Sequence, residues 1–510
     1  MNPSPDLRRR SFLSGLLAAP VLGAVLAACG GDSGSGGAAG AATLKWASSY
    51  FPTHWDPVVG GSGAQFRHLS LVYASLTRVD EKGEAVPDLA ESWEYNDQGD
   101  QVTFHLRAGL KFSDGTPVNA DAVKQAIERA KTQEDSALFG DLTSIDKVTT
   151  EGELDAVVHL TQVDYQIPLL FGERVLQVAS PKAAADPKTL DQNPVGHGPF
   201  VVSQIIPGTK AVLEKNPDYW DAENIHIDKV ELVSAPDPST VVSGLQTGVY
   251  NFSDLAPSQA EAAEDAGLDV FVQPGYNASN LSLNVNKKPF DDPKVVEAVR
   301  HGINRQEFVD KLTFGYGTPA TQPFPKEYIA YDPQSADLWP YDVDKAKAAL
   351  AQSKYSGDDL SIDLVIPDED PAAEIVQAQL AAIGITVNIK IDKNWATPFF
   401  AKDLVASLYG TTGRDSPLQT LTAHFGPNGP LNLSTPYEPE GFEKAVAAVR
   451  ETPLEDAGYA SVLQAATREG LVSEALVFTY SQPNVYVKDP AISALPKNPG
   501  HINWTGVKIS

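Results

Sequence analysis

Apolar and polar positions alternate along the chain with two periods, one typical of strands and one of helices. Residues 101–107 alternate apolar with polar side chains, which predicts a half-buried strand. Farther on, Ala122, Val123, Ile127 and Ala130 recur at helical spacing, which predicts an amphipathic helix. Because strand and helix patterns interleave throughout the chain, the sequence favours an α/β fold.

Helix boundaries can also be predicted from local signals. Asp292 directly precedes a proline, which predicts a helix that begins there with an aspartate as N-cap. Asn304 and Glu307 have the spacing of a capping box, which predicts a second helix start. A helix over Pro371–Ile383 is predicted to end at Gly384, and residues 385–391 then alternate as a strand.

The N-terminal segment has the features of an export signal. Arg9 and Arg10 begin RRSFL, which fits the core of a twin-arginine signal, and the apolar run that follows is too short and too interrupted for a permanent membrane helix. The run ends LAAC, which resembles a bacterial lipobox and implies a diacylglycerol on the thiol of Cys29 after removal of residues 1–28. An ordinary buried cysteine is the alternative. Residues 29–42 are rich in glycine and serine and predict a flexible tether.

Length and charge limit the possible functions. About 470 residues remain after the tether, which predicts two or three domains. The formal net charge is −27, and removal of residues 1–28, with three arginines and one aspartate, makes it −29. No cluster of lysine or arginine follows Arg10, so the sequence excludes a nucleic-acid partner.

The sequence has no pattern typical of catalysis or metal binding. The nine histidines are scattered, none has the His-x-x-x-His spacing, and the single cysteine has no second thiol to share a zinc ion. A Gly-x-Ser-x-Gly elbow and a phosphate-binding loop are also absent from the sequence. We therefore predict no catalytic residue, no metal site and no cofactor.

Four stretches carry a resemblance to one known family. They are SLTRVDEKGEAVPDLAESWE with VTFHLRAGLKFSDGTPVNADAV, NPVGHGPFVVSQIIPGTKAVLEKNPDYWD, LSLNVNKKPFDDPKVVEAVRHGINRQEFVDKLTFGYGTPA, and QLAAIGITVNIKIDKNW. In these stretches the chain resembles the extracytoplasmic solute-binding proteins of ABC transporters, family 5, which includes peptide- and nickel-binding proteins. The resemblance covers most of residues 43–400 and gives almost no information about the identity of the ligand.

The resemblance implies a two-lobed fold like that of periplasmic binding proteins, with an extra domain packed on one lobe. By this pattern lobe I comprises residues 43–72, 193–285 and 476–510, the extra domain residues 73–192, and lobe II residues 286–475. The lobes are expected to close on the ligand about a hinge of two crossing segments. These crossings are expected near residues 284–286 and near residues 478–481.

The resemblance also implies that the ligand lies between the strand-end loops of both lobes. The expected ligand-binding residues are Ser48, Ser49, Tyr50, His54, Asn284, Trp395, Tyr409, Arg414 and Asp415. A core role remains open for Trp395, and a solvated surface position remains open for Arg414.

One of these loops departs from the pattern of the peptide binders. Those proteins commonly place an aspartate, which pairs with the α-ammonium group of the peptide, a few residues before an Asp-Pro pair. Here Gly413 stands at the expected position of that acid, and Ser416 precedes Pro417. Asp415 is the shifted candidate for the ammonium, whereas Arg414 suits a carboxylate or another anion. An oligopeptide or peptide-like ligand is expected, and an opine-like compound, a sugar or a metal chelate remains open.

The expected role is capture of a small solute and its delivery to a membrane permease with a cytoplasmic ATPase. The protein is expected to act as a monomer that is lipid-anchored at the outer face of the bacterial cell membrane. A surface receptor or adhesin that uses the same fold without transport is the alternative from another class. A peptide-hydrolysing enzyme is disfavoured, because the sequence has no nucleophile–base signature.

Overall fold

The computed structural model describes residues 41–60, 63–172, 174–235, 237–273, 278–411, 416–472, 475–496 and 502–510. Within these limits, residues Ala41–Ser510 form one compact unit. Arg9, Arg10, Cys29, Arg414 and Asp415 lie outside the described residues. None of the described helices combines the length and the apolar character needed to cross a bilayer.

The described residues form strands and helices that alternate along the chain. The strands are β1 Thr43–Ser48, β2 Thr77–Val79, β3 Ala85–Pro87, β4 Ala90–Tyr95, β5 Gln101–Leu106, β6 Ile145–Glu151, β7 Asp155–Leu160, β8 Phe200–Ile206, β9 Lys210–Lys215, β10 Lys229–Ser234, β11 Phe252–Leu255, β12 Asp269–Gln273, β13 Ala278–Leu283, β14 Thr318–Pro319, β15 Ser361–Ile366, β16 Thr386–Ile391, β17 Ala406–Thr411, β18 Leu476–Ser481 and β19 Asn484–Lys488. The α-helices are α1 Gly63–Leu69, α2 Ala120–Thr132, α3 Ile167–Leu170, α4 Pro181–Ala184, α5 Pro187–Gln192, α6 Pro238–Gln246, α7 Ala260–Asp265, α8 Pro293–Gly302, α9 Arg305–Leu312, α10 Val343–Leu350, α11 Pro371–Ile383, α12 Ala396–Phe400, α13 Pro417–Phe425, α14 Phe442–Glu451 and α15 Tyr459–Leu471. Short 3₁₀ turns lie at Phe139–Leu142, Arg174–Leu176, Ala222–Asn224, Pro257–Gln259, Pro333–Ser335 and Gly357–Leu360.

Most of the strands belong to three larger sheets. A seven-stranded sheet has the order β12-β19-β11-β1-β10-β9-β8, and a six-stranded sheet has the order β14-β18-β13-β17-β15-β16. A four-stranded antiparallel sheet has the order β4-β5-β7-β6, and β2 pairs with β3. The strand β1 is parallel to β10 and β11, and β15 is parallel to β16 and β17, so both large sheets are mixed.

The elements with strong local signals form where the sequence predicts them. The predicted strand over residues 101–107 is β5, whose apolar residues are buried on alternate positions. Helix α11 has the predicted bounds and ends at Gly384, whose φ of 102° is favourable for glycine. Asp292 caps α8 by accepting a hydrogen bond from the backbone N–H of Lys294.

The predicted capping box at Asn304 is wrong in its partners. Helix α9 does begin after Asn304, but the side chain of Asn304 makes no capping hydrogen bond. The amide of Gln379 on α11 replaces the Glu307 side of the box: its oxygen accepts from the Asn304 N–H at 3.0 Å, and its nitrogen donates to the Glu307 carboxylate at 2.7 Å. Glu307 is thereby held by a distant helix, and it also pairs with Lys311 at 2.6 Å.

The apolar cores divide the molecule into bodies. One continuous cluster joins Leu44 and Trp46 of the seven-stranded sheet to Phe104 and Ile127 of residues 73–192, the predicted extra domain. We call the seven-stranded sheet with α1, α6 and α7 the seven-stranded body. The six-stranded sheet and helices α8–α15 have separate clusters, one on each face of the sheet, and form the six-stranded body.

The sheet to which each strand belongs differs from the predicted lobe boundaries at two strands. The strands β13 and β18 were expected in lobe I, but both pair within the six-stranded sheet. The chain therefore changes sheets between Gln273 and Ala278, whose intervening residues are not described, and returns through Gln482 and Pro483. Two crossings are present, as expected. The first lies six or more residues before its predicted place and the second directly follows its predicted place, because the local pattern of a strand does not specify its partners.

Candidate functional site

A large cavity lies between the extra domain and the six-stranded body. Its volume is about 890 Å³. One wall is formed by residues 137–144 and 162–174 of the extra domain, and the other by Ser416, α13 and α14 with the loop after α13. Ser416, which lines this cavity, belongs to the segment 407–417 that the sequence predicts to carry ligand contacts.

Polar groups with incomplete hydrogen bonding line this cavity. The Gln419 amide lies on α13, and both its nitrogen and its oxygen are shielded from water without a partner among the described residues. The Oε2 atom of Glu438 is likewise buried and unpartnered, and burial together with the nearby Glu443 raises the pKa of Glu438. Such groups cost free energy when they stay unpaired, so a polar ligand is the expected complement.

Two ion pairs also border the cavity. Arg174 donates to Asp141 at 2.6 Å, within the extra domain, and both side chains are about one-tenth exposed. Arg450 lies 3.7 Å from Asp164, across the two bodies. Burial raises the pKa of Asp164, and the positive charge of Arg450 only partly offsets this effect. The cavity therefore has charged groups at its rim, and each of these two arginines is already paired with an aspartate.

A short segment of the extra domain makes a hydrogen-bonded contact with the six-stranded body. The backbone N–H of Tyr165 donates to the carbonyl of Arg450 at 2.9 Å, and the Gln166 amide donates to the carbonyl of Val449 at 3.2 Å. The Tyr459 hydroxyl donates to the Gln166 amide oxygen at 2.6 Å. We call this the 164–166 contact. It places the first residue of α15 and the C-terminal turn of α14 against the extra domain.

The predicted lobe I residues lie at the carboxyl end of β1. Asp254, at the end of β11, accepts hydrogen bonds from the Ser48 hydroxyl at 3.0 Å and from the Ser49 N–H at 3.0 Å, and it also accepts from the Ser49 hydroxyl. The Ser48 hydroxyl lies 2.8 Å from the Tyr50 carbonyl. His54 is set apart from this group, since its Nδ1 lies 3.1 Å from Asp191 on an exposed surface.

The predicted lobe II aromatics form one cluster. The Trp395 ring stacks on Phe399 with centroids 4.5 Å apart and lies 5.9 Å from the Tyr409 ring. The Trp395 indole donates to the Ser407 hydroxyl at 2.6 Å, and the Tyr409 hydroxyl donates to the Leu431 carbonyl at 2.9 Å. Burial raises the pKa of Tyr409. Neither aromatic is among the lining residues of the large cavity, so the geometry favours a packing role for Tyr409.

Asn284 lies inside the six-stranded body. Its amide nitrogen donates to the carbonyls of Lys402 and Leu404 at 3.2 and 3.0 Å, and its oxygen accepts from the Asn286 N–H at 3.2 Å. Through these three bonds the Asn284 amide connects loops of the six-stranded body. The hydrogen bonds of Ser48, Ser49 and His54 lie within the seven-stranded body and the extra domain. Those of Asn284, Trp395 and Tyr409 lie within the six-stranded body, so the structure groups these candidates as two separate sets.

Several residues of the cavity carry no sequence signal that predicts them. Gln419, Glu438, Arg174 and Arg450 lie on helices and turns without a recognisable motif, and their positions become meaningful only when the extra domain meets the six-stranded body. Among the described residues, no group of three His, Cys, Asp or Glu side chains has an arrangement that can hold a metal ion.

Comparison with known proteins gives a family match over most of the chain. The profile described as "Bacterial extracellular solute-binding proteins, family 5 Middle" matches residues 84–432. The di/tripeptide-binding protein 3 of Pseudomonas aeruginosa is 27% identical over 459 residues, which cover 82% of this chain and 85% of that protein. The glutathione-binding protein GsiB of Salmonella typhimurium is 31% identical over 325 residues, or 62% of this chain and 63% of that protein.

Solved structures share the fold. HbpA2 from Haemophilus parasuis has a TM-score of 0.78 at 24% identity, over 92% of this chain and all of that one. DppA from Helicobacter pylori, in complex with the peptide STSA, has a TM-score of 0.77 at 21% identity, over 92% of this chain and 98% of that one. These similarities confirm the predicted two-lobed α/β fold of periplasmic binding proteins.

Proposed function

Because the chain belongs to family 5 of the bacterial extracellular solute-binding proteins, we propose that it is the substrate-binding lipoprotein of an ABC importer. The proposed ligand is a peptide or peptide-like solute. The observation that carries this proposal is the cavity of about 890 Å³ between two bodies with separate apolar cores. A ligand that contacts both bodies favours their closed arrangement, and only such differential contact converts binding into closure.

The chemistry of the cavity supports a ligand with amide groups. Its volume lies within the range of about 300–1,000 Å³ that small-molecule sites occupy. The Gln419 amide offers one donor and one acceptor, which is the pairing that a peptide group presents. The similar proteins named for di- and tripeptides and for glutathione bind ligands of this class.

The ligand class is tested by identifying what the protein carries. The chain without residues 1–29 is purified, denatured, and the released compounds are identified by mass spectrometry. We expect a mixture of short peptides, and calorimetry with trialanine is expected to give a dissociation constant of about 1 μM or tighter, near −8 kcal/mol. A single non-peptide solute would overturn the peptide assignment but retain solute binding. An empty protein that no peptide, opine, sugar or metal chelate stabilises would favour the receptor or adhesin alternative.

The lipid anchor is part of the proposal. Cys29 follows the signal-like segment and precedes a flexible tether, which is the arrangement that holds a globular body near a membrane. We expect mass spectrometry of the N-terminal peptide to find a diacylglyceryl modification on Cys29. A Cys29→Ala variant is expected to lose membrane attachment, and an unmodified cysteine in the membrane fraction would contradict this assignment.

We also propose that the protein binds its ligand without converting it and is not an enzyme. The Ser48 hydroxyl lies 3.1 Å from His68 Nε2, which invites a comparison with a nucleophile and its base. However, Ser48 is buried, and Asp254 accepts from the Ser48 hydroxyl, whereas the acid of a Ser-His-Asp triad holds the histidine. We expect no hydrolysis of trialanine by the purified protein over a day, as measured by chromatography.

A further inference from the structure

A second, smaller cavity lies at the strand ends of the seven-stranded body. Its volume is about 260 Å³, and it shares no lining residue with the larger cavity. The lining residues that bear on its chemistry are Ser49, Arg67, Asp254, Gln482, Asn484 and Tyr486. It therefore adjoins the carboxyl ends of β1 and β11 and the crossing at Gln482. In open α/β sheets, the crevice outside such strand ends is where ligands bind.

Arg67 is the cation of this cavity, and none of the described residues forms an ion pair with it. Arg67 lies in the last turn of α1, and its guanidinium carbon is 5.7 Å from the centroid of the Tyr486 ring. Its Nε atom is buried and has no hydrogen-bond partner in the described part of the chain. Among the described residues, no carboxylate lies within ion-pair distance of Arg67.

The nearby acid does not balance this arginine. Asp254 is the one acidic residue among the described residues that line the cavity. Its carboxylate accepts from the Ser49 backbone and from the hydroxyls of Ser48 and Ser49, and it lies 3.4 Å from the Trp46 indole nitrogen. Because these donors occupy the lone pairs of both oxygens, Asp254 is held in place by the loop after β1 and not by Arg67.

We propose that Arg67 is the anchor for an anionic group of the ligand, with a carboxylate as the chemical class. The inference rests on the proposed function, since a peptide carries such a group at its C-terminus. It differs from it in placing that group outside the larger cavity, in the smaller one. Stacking on Tyr486 orients the planar guanidinium, which then presents N–H donors in the fork geometry that fits a carboxylate. The Ser49 side chain at the exposed rim of the cavity adds a small polar contact surface.

The test compares trialanine with trialanine amide, which lacks the terminal negative charge, by calorimetry. Unmodified protein is expected to bind trialanine about 30-fold or more tightly than the amide, the range for loss of one partner of a buried charge pair. Arg67→Gln is expected to bind both peptides with the weaker affinity, and Arg67→Lys is expected to be intermediate, because it keeps the charge but loses the fork. Arg107→Gln is the matched control, since Arg107 also lies over an aromatic ring, that of Trp220, but outside both cavities.

The outcomes separate this inference from the proposed function. An Arg67→Gln variant that keeps the preference for trialanine overturns the Arg67 assignment while peptide binding stands. Loss of the preference in Arg414→Gln alone overturns it as well. If the unmodified protein binds neither peptide, the peptide proposal fails, and the compound released from the purified protein then tests the Arg67 assignment. An anionic compound that Arg67→Gln no longer retains supports the assignment. An uncharged or cationic compound overturns it.

Discussion

The extra domain contacts its two neighbours by different means. Toward the seven-stranded body, a single apolar cluster runs without interruption from Trp46 to Phe104 and Ile127. Toward the six-stranded body, the contact near the cavity is made by hydrogen bonds of residues 164–166 with Val449, Arg450 and Tyr459. The six-stranded body keeps its own apolar clusters.

This difference indicates which contact can open while the protein stays folded. Separation of a continuous apolar core exposes large apolar surface, which costs about 25 cal/mol per Å² and amounts to unfolding. A hydrogen bond that opens is replaced by bonds to water, so its net contribution is only about 0.5–1.5 kcal/mol. We therefore expect the extra domain to move together with the seven-stranded body, and the 164–166 contact to form on closure and break on opening.

The largest effect is expected from the apolar side of this comparison. Phe104→Ala removes a fully buried ring that packs against Phe171 with centroids 5.7 Å apart. The free energy of unfolding is expected to fall by about 3–5 kcal/mol, because the substitution leaves a cavity in the core. Urea denaturation followed by tryptophan fluorescence and circular dichroism measures the change.

The control for this experiment is Val249→Ala, at a position that is 58% exposed, where the change is expected to stay within about 0.5 kcal/mol. The two probes are also expected to report one shared transition for the extra domain and the seven-stranded body. If Phe104→Ala lets the extra domain unfold in a separate step, the idea of one rigid unit is wrong.

A smaller effect is expected at the polar contact, and it concerns binding. Gln166→Ala removes the bond to the Val449 carbonyl and the acceptor of the Tyr459 hydroxyl. The closed form becomes less populated, so the affinity for trialanine is expected to fall about 10-fold, and Tyr459→Phe, which loses one bond, is expected to show a smaller loss. Calorimetry gives the affinities, and small-angle scattering reports whether the unliganded form is more open.

The matched control is Gln464→Ala. The Gln464 amide donates to the Ile329 carbonyl at 3.2 Å, which is a bond of the same kind but within the six-stranded body. Its loss is expected to leave peptide affinity unchanged. Equal losses in Gln166→Ala and Gln464→Ala would mean that the 164–166 contact has no special part in closure.

The same comparison explains what the sequence could predict about the fold. Helix α11 and its end at Gly384 were predicted correctly, because apolar spacing and a glycine at the helix end are signals of adjacent residues. A capping box was predicted between Asn304 and Glu307, but the Asn304 N–H donates instead to Gln379, which lies 75 residues away in the chain. The strands β13 and β18 were expected in lobe I for a similar reason, since pairing between strands depends on distant residues.

The candidate site depends even more than the fold on contacts between distant residues, which local sequence patterns do not predict. The sequence placed Ser49 correctly at a strand end, where the structure has a small cavity. It also selected Asn284, whose amide is used within the six-stranded body. Gln166 and Arg67 were not selected, because their significance arises from Tyr459 and Tyr486 near the other end of the chain, and no local pattern records such a contact.

The smallest expected effect is a pH dependence of closure that originates at Asp164. Burial raises the pKa of Asp164 in the closed arrangement despite Arg450, whereas in an open form its pKa returns toward the ordinary value of about 4. Between these two pKa values the closed form binds more protons than the open form, so closure is favoured at lower pH and loses this advantage as the pH rises through the raised pKa.

The affinity for trialanine is therefore expected to increase by a few-fold from pH 7 to pH 5, a window in which the peptide termini do not titrate. Asp164→Asn, which cannot titrate, is expected to give a flatter profile by calorimetry, since burial raises the pKa of the neighbouring Tyr95 and Tyr459 and both stay neutral in this range. An identical slope in both proteins would place the titrating group elsewhere, and the 164–166 contact would then close without taking up a proton.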